Sequence, residues 1–204
     1  SAIRNQNPYG TCWAHGSLGS LESTYRTQYS SEDPDWSEMH LAYFVYEDPR
    51  DGKSFGKPYG EYDDDDTLNI GGNLTQSLAF LSRMGTVNES ALPYPSNQYT
   101  YTKPSLLPEQ YPSAGIRLRE AYTLGELSGS AMMETVKELI MEKGAVQISY
   151  YAGDGAYTSE GTSTTAYFNN TDDSKYPNHT VCIIGWDDTF SRTNFDSKMR
   201  PSND

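Results

Sequence analysis

Between Cys12 and Gln28, apolar residues fall at Ala14, Leu18, Leu21 and Tyr25, spaced four, three and four apart as on one face of an α-helix. Gly16, Ser17, Gly19 and Ser20 lie on the same stretch and carry almost no side-chain bulk. Other backbone can therefore approach this helix closely, which predicts a helix running from Cys12 to about Gln28 and buried in the middle of the fold. That requirement shapes everything else. Further helices are predicted after Ser37, through Leu41, Phe44 and Val45, and after Asn73, through Leu74, Leu78 and Leu81 to a stop at Gly85; Ser37 and Asn73 are the N-caps.

From about Glu47 to Leu68 the sequence reads as a solvated loop, with Pro49, Gly52, Gly56, Pro58, Gly60 and the run Asp63 to Asp66. Four consecutive Asp lack the alternate spacing of an EF-hand loop, so a solvated charge run is favoured over a calcium site. Beyond Pro112 the pattern changes. Ile116, Leu118 and Glu120 alternate as a strand, Ser130 to Lys143 reads as a helix stopped by Gly144, and strands follow through Val146, Ile148 and Tyr150 and through His179, Val181 and Ile183. Helices first and mainly sheet afterwards predict an α+β protein with a cleft between the halves.

A net charge of −13 argues against a nucleic-acid partner. No apolar run approaches the roughly 18 residues of a membrane helix, so membrane insertion is not expected. Seventeen Tyr, six Phe and three Trp supply buried surface enough for a folded core. Two cysteines, Cys12 and Cys182, make no disulfide framework, and neither has zinc-ligand spacing, so no metal or cofactor is expected. Asn-x-Ser/Thr triplets begin at Asn73, Asn88, Asn169 and Asn178, a short pattern that bears only weakly on secretion.

Each cysteine then needs its own explanation. Cys12 starts the buried helix, where free backbone N–H groups and the dipole favour a thiolate. Gln6, six residues earlier, is within reach of a turn that folds its amide back beside the thiol as an oxyanion donor. His179 opens a strand from which an imidazole could face that helix start across a cleft. Cys182, on the opposite face of the same strand by alternation, reads as a buried core thiol.

Gln6 with Cys12-Trp13-Ala14, Ser37-Glu38, Gly71-Gly72, Pro93-Tyr94-Pro95, Gly144-Ala145-Val146, and Asn178-His179 with Gly185-Trp186 occur in this order along nearly the whole chain. Together they resemble the papain-like cysteine peptidases, closest in character to bacterial members that lack the disulfides. The resemblance implies a two-lobe α+β fold, with a helical lobe over residues 1–111 and a β-barrel-like lobe over residues 112–204. It implies Cys12 as nucleophile, His179 as acid/base, and Gln6 with the Cys12 N–H as oxyanion hole. Gly71 and Gly72 would pair with substrate backbone, Asn178 would offer its carbonyl, and Leu74, Ser149 and Thr180 would line the pocket for the second residue on the acyl side of the cut. A protein or peptide substrate, a propeptide and a secreted or cell-surface location go with that reading. A non-catalytic binding module, and an amidase or acyl transferase of the same fold, are the alternatives.

Several features depart from the family pattern. Tyr9 stands where many members carry a disulfide cysteine, so packing must hold that region. Cys12 and His179 are 167 positions apart, longer than the roughly 130–150 residues common in the family, with the acidic loop as the expected insertion. His15 replaces a usual aromatic and reads as a core or supporting histidine. No Asn-Ser-Trp motif supplies the amide that orients the histidine, and Asn194 and Asn203 lie in turn-like sequence. An additional C-terminal segment or chain is therefore expected to bring that Asn.

Overall fold

A computed structural model describes residues 3–29, 32–47, 67–95, 116–126, 129–153, 156–157, 166–168, 176–197 and 200–202. The acidic run Asp63 to Asp66, and with it the calcium question, lies outside the described residues, as does Asn169. Element order is α1 (Cys12–Gln28), α2 (Glu38–Phe44), α3 (Leu74–Arg83), α4 (Gly129–Glu142), then β1 (Val146–Tyr150), β2 (Ala156–Tyr157), β3 (Tyr167–Phe168) and β4 (His179–Ile183), with short 3-10 turns between.

Helix α1 has the expected bounds, and Ala14 and Leu18 are completely buried on it. The two caps form as the sequence predicts. Ser37 Oγ accepts the His40 N–H at 3.0 Å, while Asn73 and Gln76 exchange two bonds in a capping box, at 3.0 and 3.1 Å. Trp13, Leu18, Leu41, Phe44 and Leu68 are the largest apolar side chains at the centre of the core, which lies between α1, α2 and α3. Tyr9 is buried and meets Tyr94 edge-on at 6.3 Å, so aromatic packing occupies the place of the missing disulfide.

Strands β1 and β4 form a two-stranded antiparallel sheet in the register Gln147 opposite Cys182, Ser149 opposite Thr180 and Tyr150 opposite His179. Strands β2 and β3 make a second pair. Among the described residues these pairs do not close into a barrel, and α4 with 14 residues is the longest element of the second half, so "mainly sheet" overstates its strand content.

Two further expectations fail. Residues 116–120 do not form a strand: only Ile116 bridges, to Thr86, and Leu118 N–H then bonds to the Leu81 carbonyl at the end of α3. Gly85, at φ +75°, allows this close pass, because a Cβ there would lie 2.4 Å from the Ile116 carbonyl oxygen. The ends of the expected solvated loop are also not solvated. Glu47, Thr67 and Leu68 are buried, with the Thr67 hydroxyl donating to Glu47 at 3.4 Å.

Candidate active site

The small residues of α1 let the β1–β4 pair lie directly on it. A Cβ on Gly16 would come within 2.7 Å of Thr180 Cγ2, and one on Gly19 within 3.3 Å of Cys182 Sγ. The Cys182 S–H donates to the Gly16 carbonyl at 3.1 Å, and Ser20 Oγ donates to the Ala145 carbonyl at 2.7 Å. Further along, Ser23 Oγ accepts the Ala145 N–H at 2.8 Å, and Gly144, at φ +108°, passes Ser23 with no room for a Cβ. Helix and strand β4 therefore run in the same sense, Gly16 beside Thr180 and Gly19 beside Cys182. One helical turn back from Gly16, about 5.4 Å, stands Cys12; one or two strand residues back from Thr180, at about 3.3 Å each, stand His179 and Asn178. The start of α1 and the start of β4 lie abreast, and Cys12 and His179 are both half-buried.

Cys182 faces α1 from mid-strand, and burial pushes its thiol up to about 11. His179 faces the other side of β4, where its ring meets Tyr150 edge-on at 5.6 Å and Tyr150 in turn meets Tyr167 at 5.5 Å. The Asn178 amide is spent on Ala152, accepting its N–H at 2.7 Å and donating to its carbonyl at 3.2 Å, so it does not orient His179.

The glycine pair reaches Trp13, the residue after Cys12. The Trp13 ring lies flush on Gly72, where a Cβ would sit 2.3 Å from the indole. Tyr46 holds the pair from behind: its hydroxyl donates to the Gly71 carbonyl at 3.0 Å, and its ring meets Trp13 edge-on at 6.4 Å. Gly10 N–H bonds Asn69 Oδ1 at 3.0 Å, tying the two loops together. Leu74 begins α3 and is exposed, while Ser149 Oγ and Thr180 Oγ1 bond across the strand pair at 3.0 Å, so two of the three expected pocket residues adjoin.

Gln6 is fixed by its own loop. Its Nε2 donates to the Tyr9 carbonyl at 3.1 Å, and its carbonyl accepts from Tyr9 N–H at 3.0 Å and from the Tyr94 hydroxyl at 2.8 Å. Nε2 carries a second amide hydrogen besides the one given to Tyr9. The His15 Nδ1–H donates to the Thr11 carbonyl at 3.0 Å, and burial lowers the pKa of this ring, which fits a supporting histidine.

Sequence reasoning missed an ion cluster beneath this loop. Arg4 donates to Glu38, to Glu22 at 2.6 Å and to the Trp36 carbonyl at 3.0 Å, and Glu22 also accepts the Trp36 N–H at 2.7 Å. Burial raises Glu22 to about 7 although Arg4 opposes the shift. The partners are scattered in sequence, so no local spacing announces them. A cavity of about 450 Å³ beside the cluster is lined by Arg4, His15, Glu38, Glu89 and Tyr94 among others, but not by Cys12 or His179. Among the described residues, no group of His, Cys, Asp or Glu is arranged to hold a metal ion, and no helix is long and apolar enough to cross a membrane.

A thiol at the start of a buried helix that packs beside a strand opening with histidine is an arrangement found in cysteine hydrolases. The profile of the papain family cysteine proteases matches residues 1–195, and the chain belongs to that family. The structure is similar to the clostridial cysteine protease Cwp84 after propeptide cleavage, with TM-score 0.62 and 26% identity over 100% of this chain and 45% of that one. It is similar as well to the cysteine protease and lectin-like domains of Cwp84, a surface layer associated protein of Clostridium difficile, at TM-score 0.61 and 25% identity over 100% and 40%. Digestive procathepsin L 3 of Tenebrio molitor larval midgut shares the fold at TM-score 0.61 and 17% identity, over 92% and 53%. The chain thus spans about half or less of each of these proteins. A comparison with curated proteins finds no match.

Proposed function

We propose that this chain carries the catalytic residues of a cysteine endopeptidase that cuts protein substrates through a thioester acyl-enzyme. The observation that carries the reading is the docking of β4 on α1 through Gly16 and Gly19, which puts the Cys12 and His179 ends of the two elements abreast. In this mechanism the Cys12 thiolate attacks the scissile carbonyl carbon, and the oxyanion is held by the Cys12 N–H and the free Gln6 amide hydrogen. The tetrahedral intermediate collapses as the His179 imidazolium gives its proton to the leaving amine, which leaves a thioester. Water, losing a proton to His179, attacks that thioester; the acid departs and the thiolate–imidazolium pair is restored.

Gly71 and Gly72 pair with the extended substrate backbone, since Gly72 has no side chain and lies exposed beside Trp13. Asn178 contributes its carbonyl from the opposite wall. Leu74, Ser149 and Thr180 form a pocket of modest size with one apolar wall, so medium aliphatic side chains are preferred there, by about 1–3 kcal/mol per methylene at most. Residues 1–111 and 112–204 act as the two walls of the cleft. With the Asn178 amide tied to Ala152, a group other than Asn178 orients His179 in this reading. The likeness to Cwp84 supports a secreted or cell-surface bacterial enzyme released from a propeptide.

Hydrolysis of a fluorogenic peptide by the full-length protein tests this. Cys12→Ala and His179→Ala should abolish turnover, and Gln6→Ala should lower kcat by about 10²–10³-fold. Turnover that survives Cys12→Ala would refute the proposal.

A further inference from the structure

We infer that Tyr94 is a positioning residue for the oxyanion donor, acting through Gln6; the inference rests on the role proposed for Gln6 above. The Tyr94 hydroxyl bonds both sides of the Gln6–Cys12 turn, at 2.8 Å from the Gln6 carbonyl and 2.6 Å from Thr11 Oγ1. Thr11 precedes the nucleophile directly and is completely buried.

The protons can be assigned without conflict. The Tyr94 O–H donates to Gln6, so Thr11 O–H must donate to Tyr94, and His15 Nδ1–H then donates to the Thr11 carbonyl. Two donors in series, the Thr11 and Tyr94 hydroxyls, run to the Gln6 carbonyl, and His15 holds Thr11 separately through its main-chain carbonyl. Burial holds the Tyr94 hydroxyl protonated, with its pKa pushed up to about 12, so the series stays intact through neutral pH. Tyr94 is itself fixed: its N–H bonds Glu89 Oε1 at 2.5 Å, and its ring meets Tyr9 and His15 edge-on at 6.3 and 4.9 Å. Removing the hydroxyl leaves those ring contacts in place while releasing the Gln6 carbonyl from α1. The two Tyr9 bonds keep the Gln6–Tyr9 turn closed, but the turn is no longer tied to Thr11 beside Cys12, so its amide is held less firmly relative to the Cys12 N–H, which costs transition-state binding and leaves substrate binding alone.

A double-mutant cycle on the full-length protein tests this. Tyr94→Phe should lower kcat about tenfold, a fraction of what outright loss of an oxyanion donor costs, with KM unchanged. The rate at which iodoacetamide inactivates Cys12 should stay within about twofold. In a Gln6→Ala background, Tyr94→Phe should lower kcat no further. Thr11→Val, which cuts the same series one bond earlier, should show a smaller loss that also vanishes in that background, and it decides the matter if Tyr94→Phe fails to fold. Equal losses with and without the Gln6 amide, an unchanged kcat, or a parallel fall in alkylation rate would overturn the inference. Full activity in Gln6→Ala alone, or in Cys12→Ala, would instead remove the reading on which it rests.

Discussion

Gly16→Ala probes the contact on which the site's assembly depends. The added Cβ would lie 2.7 Å from Thr180 Cγ2, closer than real Cβ atoms approach, with Gln147 Cγ at 3.5 Å. Thr180 is held by its ladder position opposite Ser149 and by the 3.0 Å bond between their hydroxyls, so its methyl cannot simply turn away. Overpacking of this kind costs about 1–3 kcal/mol, whereas Gly→Ala inside a helix returns about 0.5–1 kcal/mol. The net expectation is a loss of up to about 2.5 kcal/mol, centred near 1 kcal/mol, with Tm falling about 2–4 °C for each kcal/mol in a chain of this size. Thr180→Ser deletes Cγ2 and keeps the hydroxyl, so in its presence Gly16→Ala should become neutral or stabilising. Thermal unfolding of the wild type, the two single variants and the double variant gives the coupling energy directly. If Gly16→Ala costs the same in the Thr180→Ser background as in the wild type, α1 and β4 do not meet at this point.

Removing Arg4 by Arg4→Met should cost toward the lower end of the about 3–5 kcal/mol seen for broken buried pairs, because part of the guanidinium still reaches solvent. The deficit, followed by denaturant unfolding, should shrink as pH falls from 8 to 5, since Glu22 and Glu38 can then protonate. His40 is buried against Phe44 and Phe80 with no hydrogen-bond partner for Nδ1 among the described residues, and burial lowers its pKa to about 4. A folded-state pKa below the unfolded value means that stability is lost as pH falls from about 6.5 through 4. Against His40→Leu, the wild-type Tm should therefore drop over that window; parallel Tm curves for the two proteins would count against it.

Much of this is legible from local signals. The apolar spacing and small residues of Cys12 to Gln28, and the caps Ser37 and Asn73, each report on a neighbourhood of a few residues, and the structure reproduces them. Long-range partners are not legible. Ile116, Leu118 and Glu120 alternate as a strand does, yet only Ile116 finds a partner, because Gly85 steers the segment along the end of α3. Glu47 reads as the edge of a polar loop, but Thr67 covers it. Gly72 stands out in the sequence for its lack of a side chain, and the reason visible in the structure is the Trp13 ring lying against it. Tyr94 shows in the sequence only as part of a proline-flanked motif; its hydroxyl partners, Gln6 and Thr11, lie more than 80 positions away.

The central claim is that Cys12, served by His179, is the nucleophile, and covalent trapping tests it most directly. The full-length protein would be treated with a peptidyl epoxide and the adduct located by mass spectrometry. Cys182 sits against the Gly16 carbonyl with its thiol pushed up to about 11, so it should stay unlabelled while the fold is intact. The account predicts a single adduct on Cys12 that is lost in His179→Ala. An adduct on Cys182, or labelling of Cys12 at an unchanged rate without His179, would contradict it.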